Sequence, residues 1–372
     1  MAVARSRSGA VEMSELSCTL LRMVGPSFID LFSGAGGLSW GLVQAGWKPL
    51  YAVDYWKDAI ETYRANMPDH LAECRDVHEL DAPRLARVLE EVPDWVVGGP
   101  PCQGYSTVGK RQRTDDRNQL FLQFRRIVAE LKPSGFLLEN VLGLKDMSFE
   151  EEVATAFREL GYSVQWFILT AAEHGVPQLR RRVVFVGHLE RRFLGVTASH
   201  DPDTYVTVGE AIGDLPRLTA GQSATDYDRE PENPYQKEMR EDSVSLQGHA
   251  ASKHPAYLVE AISHVPDGGN RRSIPDHLQP KSGFHNSYSR LASWAPAVAV
   301  TQNMGKPSGT RCIHPSQHRG LTTREGARLQ SFPDRFHFLG VSTSQRLQVA
   351  NAVPPRLGRA LGEAIVDPLR WE

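Results

Sequence analysis

Ser27-Phe28-Ile29-Asp30-Leu31-Phe32-Ser33-Gly34-Ala35-Gly36-Gly37 decides how the rest of the chain is read. Its apolar start, 27–32, has the length and composition of a buried strand. A glycine-rich turn follows, and 38–45 then carries helical spacing with Gly46 as its C-terminal stop. A strand running through a glycine turn into a helix opens a βαβ unit. Gly34 and Gly36 remove side chains where a ligand must approach backbone amides, and Gly37 lets the helix start close by. A dinucleotide fingerprint would need a third glycine where Ser39 stands, so that motif fails. Asp54, about 20 residues further on at the end of the next strand, suits the hydroxyls of a ribose. These features indicate a nucleoside-containing cofactor, with a merely structural tight turn as the alternative.

The rhythm continues outward from this unit. Strands are predicted over 49–53, 95–97, 136–138, 162–169 and 183–186, with helices over 58–66, 117–131 and 150–160, the last stopped by Gly161. The fold class expected is α/β, a doubly wound, mostly parallel sheet, joined to a second, irregular domain. Asp30, Asp54, Asp76, Cys102 and Glu139 fall at or just beyond predicted strand ends, where open α/β sheets bind ligands. From 188 to 289 the chain turns polar, rich in Pro, His, Asp and Gly, with weak periodicity. Regular signals return over 296–301, 323–330 and 356–365. The expected layout is a disordered leader (1–26), a catalytic and cofactor-binding domain (27–187), the irregular domain (188–320), a hinge (321–342) and a segment returning to the first domain (343–372).

Composition excludes several classes. Hydrophobic content of 41% and charged content of 23% are those of an ordinary soluble protein. No apolar run approaches the roughly 20 residues of a membrane helix. Cys18, Cys74, Cys102 and Cys312 form no CxxC pair, which argues against a metal site or a disulfide framework and for a reducing, cytoplasmic setting. The net charge of −2 announces no polyanion, yet basic residues cluster at Lys110, Arg111, Arg113 and Arg117, at 180–182, at Arg191 and Arg192, and at Arg271 and Arg272. A phosphate-binding face can hide in a neutral total; solvated surface charge is the alternative.

Three further motifs carry chemistry. In Gly98-Gly99-Pro100-Pro101-Cys102-Gln103-Gly104-Tyr105-Ser106, two prolines fix the backbone before a cysteine at a strand end. A structural cysteine sits among apolar neighbours, whereas a reactive one needs exposure and nearby cations, here Lys110, Arg111 and Arg113. Glu139, in Leu137-Leu138-Glu139-Asn140-Val141, puts a carboxylate at a buried strand end, which is costly unless it is used or paired. In Gln178-Leu179-Arg180-Arg181-Arg182, strand spacing turns Arg180 and Arg182 to one side, where they suit phosphate or substrate oxygens.

In their order these blocks resemble those of the bacterial DNA (cytosine-5-)-methyltransferase family. Residues 30–37 resemble its cofactor loop, 100–103 its nucleophile block, 139–141 its base-holding block and 178–182 its basic block. Residues 321–333 resemble its late hinge block and 348–355 its C-terminal cofactor block. The resemblance runs from about 28 to 365 except for the variable middle. Ala350 stands where glycine is usual, Asp54 where glutamate is commoner, and Arg75 precedes Asp76 where glycine is usual.

The resemblance implies methyl transfer from S-adenosyl-L-methionine to carbon 5 of a flipped-out cytosine in double-stranded DNA. Cys102, Glu139, Asn140, Arg180 and Arg182 are the implied catalytic set. The implied cofactor set is Asp30, Phe32, Gly34, Gly36, Gly37, Asp54, Tyr55, Asp76, Val77, Pro100, Asn351 and Val353, and no metal is expected. Phe32 would stack on adenine, Asp54 bind the ribose and Asp76 the adenine amine. DNA contacts are expected from Gln103, Ser106, Lys110, Arg113, Asn270, Arg271, Arg272 and Thr301. The 188–320 region would read sequence, with 267–272 singled out because glycines allow close approach while Asn and Arg match base edges. A monomer is expected, with a restriction endonuclease as its companion in a restriction-modification system. A tRNA-methylating branch of the family, a DNA-binding relative without catalysis and a cysteine hydrolase are the competing readings. The long middle region disfavours the first, the intact Cys102, Glu139, Arg180 and Arg182 the second, and the lack of a motif-borne catalytic histidine the third.

Overall fold

The computed structural model describes residues 25–101, 119–142, 148–281, 286–309 and 311–372. Strands β1 (Ser27–Leu31), β2 (Lys48–Asp54), β3 (Ala72–Cys74), β4 (Trp95–Gly98), β5 (Gly135–Asn140), β6 (Ser163–Thr170) and β7 (Arg181–His188) form one sheet in the order β3-β2-β1-β4-β5-β7-β6. The first five are parallel, while β7 runs antiparallel to both β5 and β6. Strands β1, β4 and β5 are buried along their whole length, the pattern of strands covered on both faces.

Helices α1 (Gly37–Gln44), α2 (Lys57–Asn66), α3 (Ala82–Leu89), α4 (Gln119–Leu131) and α5 (Ser148–Arg158) supply the cover. On one face Leu85 of α3, Phe124, Ile127, Val128 and Leu131 of α4 and Phe157 of α5 pack against Ile29, Val96 and Phe136. On the other, Leu38 and Leu42 of α1 meet Leu357, Leu361 and Ile365 from the far end of the chain. The expected strands and helices of the first half are present, and the structure adds β3 and α3.

Between 188 and 320 the chain forms short helices α6 (Val208–Ile212), α7 (Pro234–Arg240) and α8 (Ala256–Ser263) and two single 3₁₀ turns, Arg271–Ser273 and Asp276–Leu278. The regular element expected over 296–301 is not formed. Ala297 makes one isolated bridge to Gln178, with Ala297 N donating to Pro177 O (2.9 Å) and Leu179 N donating to Ala297 O (2.8 Å). Arg191 and Arg192, from the second basic cluster, are exposed and also hold the chain end. Arg191 lies over the Trp371 ring and Arg192 pairs with Glu372.

Helices α9 (Thr323–Leu329), α10 (Ser342–Asn351) and α11 (Pro355–Val366) follow. The segment expected as a hinge is buried without a break over 321–334 and shares an apolar core with Val208, Ile212, Tyr235, Met239, Leu291 and Met304. Its charges are matched inside that core. Arg319 grips Glu325 through two bonds of 2.8 and 2.6 Å, a bidentate pair. Burial alone would raise the Glu325 carboxyl, but Arg319 outweighs it and holds the group well below the usual carboxylate range. Arg328 bridges Asp214 (2.6 Å) and Asp334 (2.7 Å), and all three side chains are fully buried.

Arg328→Met should therefore be among the most damaging substitutions outside the cleft. It leaves Asp214 with only Arg240 (3.6 Å) and Asp334 with Arg324 (3.7 Å) and the Tyr227 hydroxyl (2.7 Å), and breaking a buried pair by removing one partner costs about 3–5 kcal/mol. Urea unfolding of the variant should show a loss of that size; a loss below about 1 kcal/mol would mean the two aspartates are not held as ions.

Candidate active site

The carboxyl edge of the sheet opens into a cleft of ≈ 320 Å³, within the usual range for small-molecule sites. The loop after β1 enters first. Phe32 sits there at φ 61, a left-handed conformation rare for a side chain of this size. Gly34, at φ 54, has open space where a Cβ would stand. Gly37 is needed for packing, since a Cβ there would lie 2.3 Å from the Val353 carbonyl oxygen. Gly36 likewise packs against Tyr63 and Met67.

Asp54, at the end of β2, ties the two loops together. One carboxylate oxygen accepts from Gly34 N (2.9 Å) and the other from Trp56 N (2.8 Å). Burial still raises its pKa above the ordinary value, against the pull of these bonds. Asp30 is 1% exposed, and its carboxylate accepts from the Ser39 hydroxyl at 2.6 Å. Burial, opposed by that bond and aided by the charge of Asp54, pushes it up to about 7. The Ser33 hydroxyl is buried without a partner among the described residues.

The other wall carries a different chemistry. Reversal of β7 beside β5 brings Arg182 Nε to 2.7 Å from Glu139 Oε1. Arg180 is buried, and its Nη2 donates to Ala350 O (2.9 Å) while its Nε has no partner among the described residues. Burial first, then the charge of Arg182, lowers its pKa to about 9, with Glu139 opposing. Asn140 Nδ2 donates to Pro100 O (3.0 Å), and Asn140 Oδ1 accepts from Val141 N (2.7 Å). A Cβ on Gly99 would come within 3.1 Å of Glu139 Oε2. The backbone leading to Cys102 is thus fastened against the Glu139 wall.

Asp30, Phe32, Gly34, Asp54, Tyr55, Pro100, Glu139, Asn140, Arg180, Arg182, Asn351 and Val353 all line this cleft. Tyr55 is 73% exposed there. Gly36, Gly37, Asp76 and Val77 are not part of its lining. Asp76 caps its own turn, accepting from His78 N (2.9 Å) and lying 2.7 Å from His78 Nδ1, and the backbone N–H lowers its pKa. Cys102, Gln103, Ser106, Lys110 and Arg113 lie outside the described residues. The cleft also takes in Ser33, Trp56 and Gln348, which sequence reasoning missed. Each had a local signal: Ser33 lies in the 30–37 loop, Gln348 opens the 348–355 block, and Trp56 follows Asp54 and Tyr55.

The cleft's far side is held by buried amides. Gln178 Nε2 donates to Leu329 O (3.0 Å) and Gln330 Oε1 (2.9 Å), and its Oε1 accepts from Val300 N (2.8 Å). Gln330 Nε2 donates on to Val349 O (2.7 Å).

A second, larger cleft of ≈ 640 Å³ starts at Leu179, the residue before Arg180. Asn270, Arg271 and Arg272 line it, together with Arg311, which no motif had marked. Asn270 Oδ1 accepts from Arg272 N (3.0 Å), and Arg271 Nη2 donates to Pro280 O (3.1 Å), so Arg271 braces the turn while Arg272 is exposed. Thr301 is exposed outside that cleft. Among the described residues no cluster of His, Cys, Asp and Glu is placed to hold a metal, and no helix is long and apolar enough to cross a membrane.

Comparison with known proteins bears on this arrangement. The sequence model of a family described as C-5 cytosine-specific DNA methylase matches residues 26–367. The chain is 40% identical to the type II methyltransferase M1.HphI of Haemophilus parahaemolyticus, over 94% of this chain and 89% of that protein. It is 36% identical to the type II methyltransferase M.DdeI of Desulfomicrobium norvegicum, over 91% and 88%. A crystal structure of an E. coli prophage-encoded protein, described as a DNA modification methyltransferase, superimposes with a TM-score of 0.76 at 25% identity. It covers 93% of this chain and 99% of that one. With a sheet edge of the expected form and relatives matched over nearly their full length, the chain belongs to the C-5 cytosine-specific DNA methylase family and is a DNA (cytosine-5-)-methyltransferase.

Proposed function

We propose that this enzyme takes its methyl group from S-adenosyl-L-methionine and places it on carbon 5 of a cytosine swung out of a specific duplex sequence, with Cys102 adding covalently to the ring. The observation that carries the reading is the Glu139 wall: Arg182 on one side, and on the other the Pro100 backbone held by Asn140, two residues before Cys102.

The cleft fits the proposed cofactor on its own chemistry. Gly34 leaves open space, Ser33 offers an unpartnered hydroxyl, and Asp30 and Asp54 supply carboxylates in a partly apolar wall. Phe32, Asp54, Tyr55, Asn351 and Val353 would hold the nucleoside, and the bound sulfonium would supply an electrophilic methyl.

Carbon 5 of cytosine is too weak a nucleophile unaided. The Cys102 thiolate forms a bond to carbon 6, and the displaced electron pair leaves carbon 5 enamine-like. Glu139, oriented by Arg182, hydrogen-bonds ring nitrogen 3 and the exocyclic amine and so stabilises the charge that develops there. Arg180 Nε, without a partner among the described residues, suits the carbonyl oxygen of the flipped base. Once carbon 5 is methylated, its proton leaves to a base, the ring electrons return, and the bond to Cys102 breaks. The target must first leave the stack, at a cost of a few kcal/mol. Residues 103–117 would close over the duplex, with Gln103, Ser106, Lys110 and Arg113 as contacts, and 188–320 would read the sequence. On this reading the protein acts as a cytoplasmic monomer and as the modification partner of a restriction endonuclease; its likeness to type II methyltransferases supports the modification role.

Cys102→Ala should abolish methyl transfer while leaving DNA binding within a few-fold. DNA carrying 5-fluorocytosine should trap the wild-type enzyme covalently, because fluorine cannot leave as a proton does; a trapped alanine variant would show that another nucleophile acts.

Glu139→Gln should lose far more turnover than cofactor affinity, by a factor of about 10² or more. Single-turnover kinetics beside calorimetric titration separates the two, and near-wild-type turnover would remove the role given to Glu139.

Arg272→Ala should relax the methylated sequence at one base pair, since a base-edge arginine is worth roughly 1–3 kcal/mol of discrimination. Arg113→Ala should instead weaken all sites alike and lower the salt slope by about one. Bisulfite sequencing of plasmid DNA methylated by each variant reads the difference. An unchanged pattern with Arg272→Ala would make the 267–272 turn scaffold.

A further inference from the structure

The two clefts share one wall. Residues 177–182 run along the boundary between them, and extended spacing sends their side chains to alternate sides. Arg180 and Arg182 line the smaller cleft, while Leu179 lines the larger one. The larger cleft also takes in Arg272 and Arg311 and, among the described residues, no acidic side chain, as a surface facing a polyanion requires. The wall is bonded to the stretch that floors this larger cleft, where Ala295, Pro296 and Val298 stand. Ala297 N donates to Pro177 O (2.9 Å), and Leu179 N donates to Ala297 O (2.8 Å). The fully buried Gln178 side chain completes the join. Its Oε1 accepts from Val300 N (2.8 Å), while its Nε2 donates to Leu329 O (3.0 Å) and Gln330 Oε1 (2.9 Å). The backbone that aims Arg180 is therefore continuous with the floor of the larger cleft.

We propose that Gln178 is a positioning residue that makes the setting of Arg180 depend on which duplex fills the larger cleft. The inference rests on the reading of this enzyme as a sequence-reading, base-flipping methyltransferase. A duplex of the right sequence bears on Leu179 and on 295–298. Through the Ala297 bridge and the bond from Val300 to Gln178, that contact fixes the wall. Arg180 Nε then meets the oxygen of the flipped base as Cys102 adds to the ring. A duplex with one wrong base pair seats imperfectly and leaves the wall in another setting. Discrimination therefore appears in the rate of the covalent step as well as in affinity, because the correct substrate assembles the catalytic edge. A buried amide suits this joint. Its three hydrogen bonds fix one direction, and each carries a desolvation cost if it is left unmade, so wall and floor move together.

Single-turnover trapping on DNA with 5-fluorocytosine at the target tests this on the whole chain. Enzyme and S-adenosylmethionine are saturating, and the recognition sequence is taken from bisulfite sequencing. For the wild type, trapping at the correct sequence should outpace trapping at a one-base-pair variant by about fivefold or more, although both are fully bound. Gln178→Met keeps the length of the side chain and removes its hydrogen bonds. It should slow trapping at the correct sequence by roughly 10–100-fold and bring the ratio of the two rates within about twofold of one. Its preference for the correct duplex in binding should be retained, since the arginines of the larger cleft are untouched. Leu179→Ala tests the same joint from the DNA side at a position 45% exposed, so folding does not hang on it. That variant should also lower the rate ratio, by more than about twofold. A slow Gln178→Met enzyme that keeps the wild-type ratio would overturn the proposal, because Gln178 would then be a strut alone. An unchanged ratio in Leu179→Ala would overturn it too, as would a wild-type ratio near one. A wild-type enzyme that is never trapped would refute the covalent reading of the reaction, a result distinct from these.

Discussion

The contact between Arg182 and Glu139 depends on one strand running the wrong way. In a fully parallel sheet the residues that start a strand lie at the edge opposite the ligand site. Here β7 enters between β5 and β6 in the reverse sense, so its first residues lie at the carboxyl edge, with Glu139 opposite Val184 and Asn140 opposite Val183. Arg180 and Arg182 thereby reach the same cleft as the ends of β1, β2, β4 and β5. The rest follows from fixing that edge. Gln178 and Gln330 anchor the late helices to it, and Arg180 closes on the Ala350 carbonyl. These bonds lie in a buried setting, where an unmade one carries its full desolvation cost, so the edge and the late segment are held in one arrangement.

How much of this was legible in the sequence follows from where the partners lie. The strand–glycine–helix start, Glu139 at a strand end and the Arg180/Arg182 spacing are local signals, and the structure brings all of them to one edge. The segment 321–342 was expected as a hinge from the resemblance of 321–333 to the family's late hinge block, and no local pattern announced how deeply Arg324, Glu325 and Arg328 are buried. What buries Arg328 is Asp214, 114 residues earlier, and no window of sequence holds both. Helix α10 was missed for a similar reason. Its sequence, STSQRLQVAN, has little amphipathic pattern, and its burial comes from neighbours α9 and the cleft. The 296–301 stretch failed in the opposite direction: its apolar alternation finds one bridge partner, Gln178, and not a second strand.

Glycine 37 shows that the cofactor loop and the C-terminal block are a single unit. The Val353 carbonyl stands where its Cβ would be, so the helix after the glycine turn and the chain some 300 residues later close on each other without space for a methyl group. That contact also explains why Asn351 and Val353 share a cleft with Gly34 and Asp54. Distance in sequence is large, yet the geometric tolerance is small, and a shift of the late segment would open the cleft along its length.

Charge is the remaining constraint, and it resolves the near-neutral total of −2. A protein that grips a polyanion needs basic residues on the face toward DNA, while the proposed cationic cofactor calls for carboxylates. This chain separates the two within one sheet edge. Arg180 and Arg182 stand on the side that continues through Leu179 into the cleft of Arg271, Arg272 and Arg311. Asp30 and Asp54 stand on the other side, beneath the glycine turn. Glu139 occupies the boundary and is the carboxylate of the three with a guanidinium partner. Left unpaired on the basic side, it would be drawn toward whichever arginine a bound phosphate had not engaged. Paired at 2.7 Å, it keeps one orientation as the field around it changes, which is what the role proposed for it at a single ring nitrogen requires.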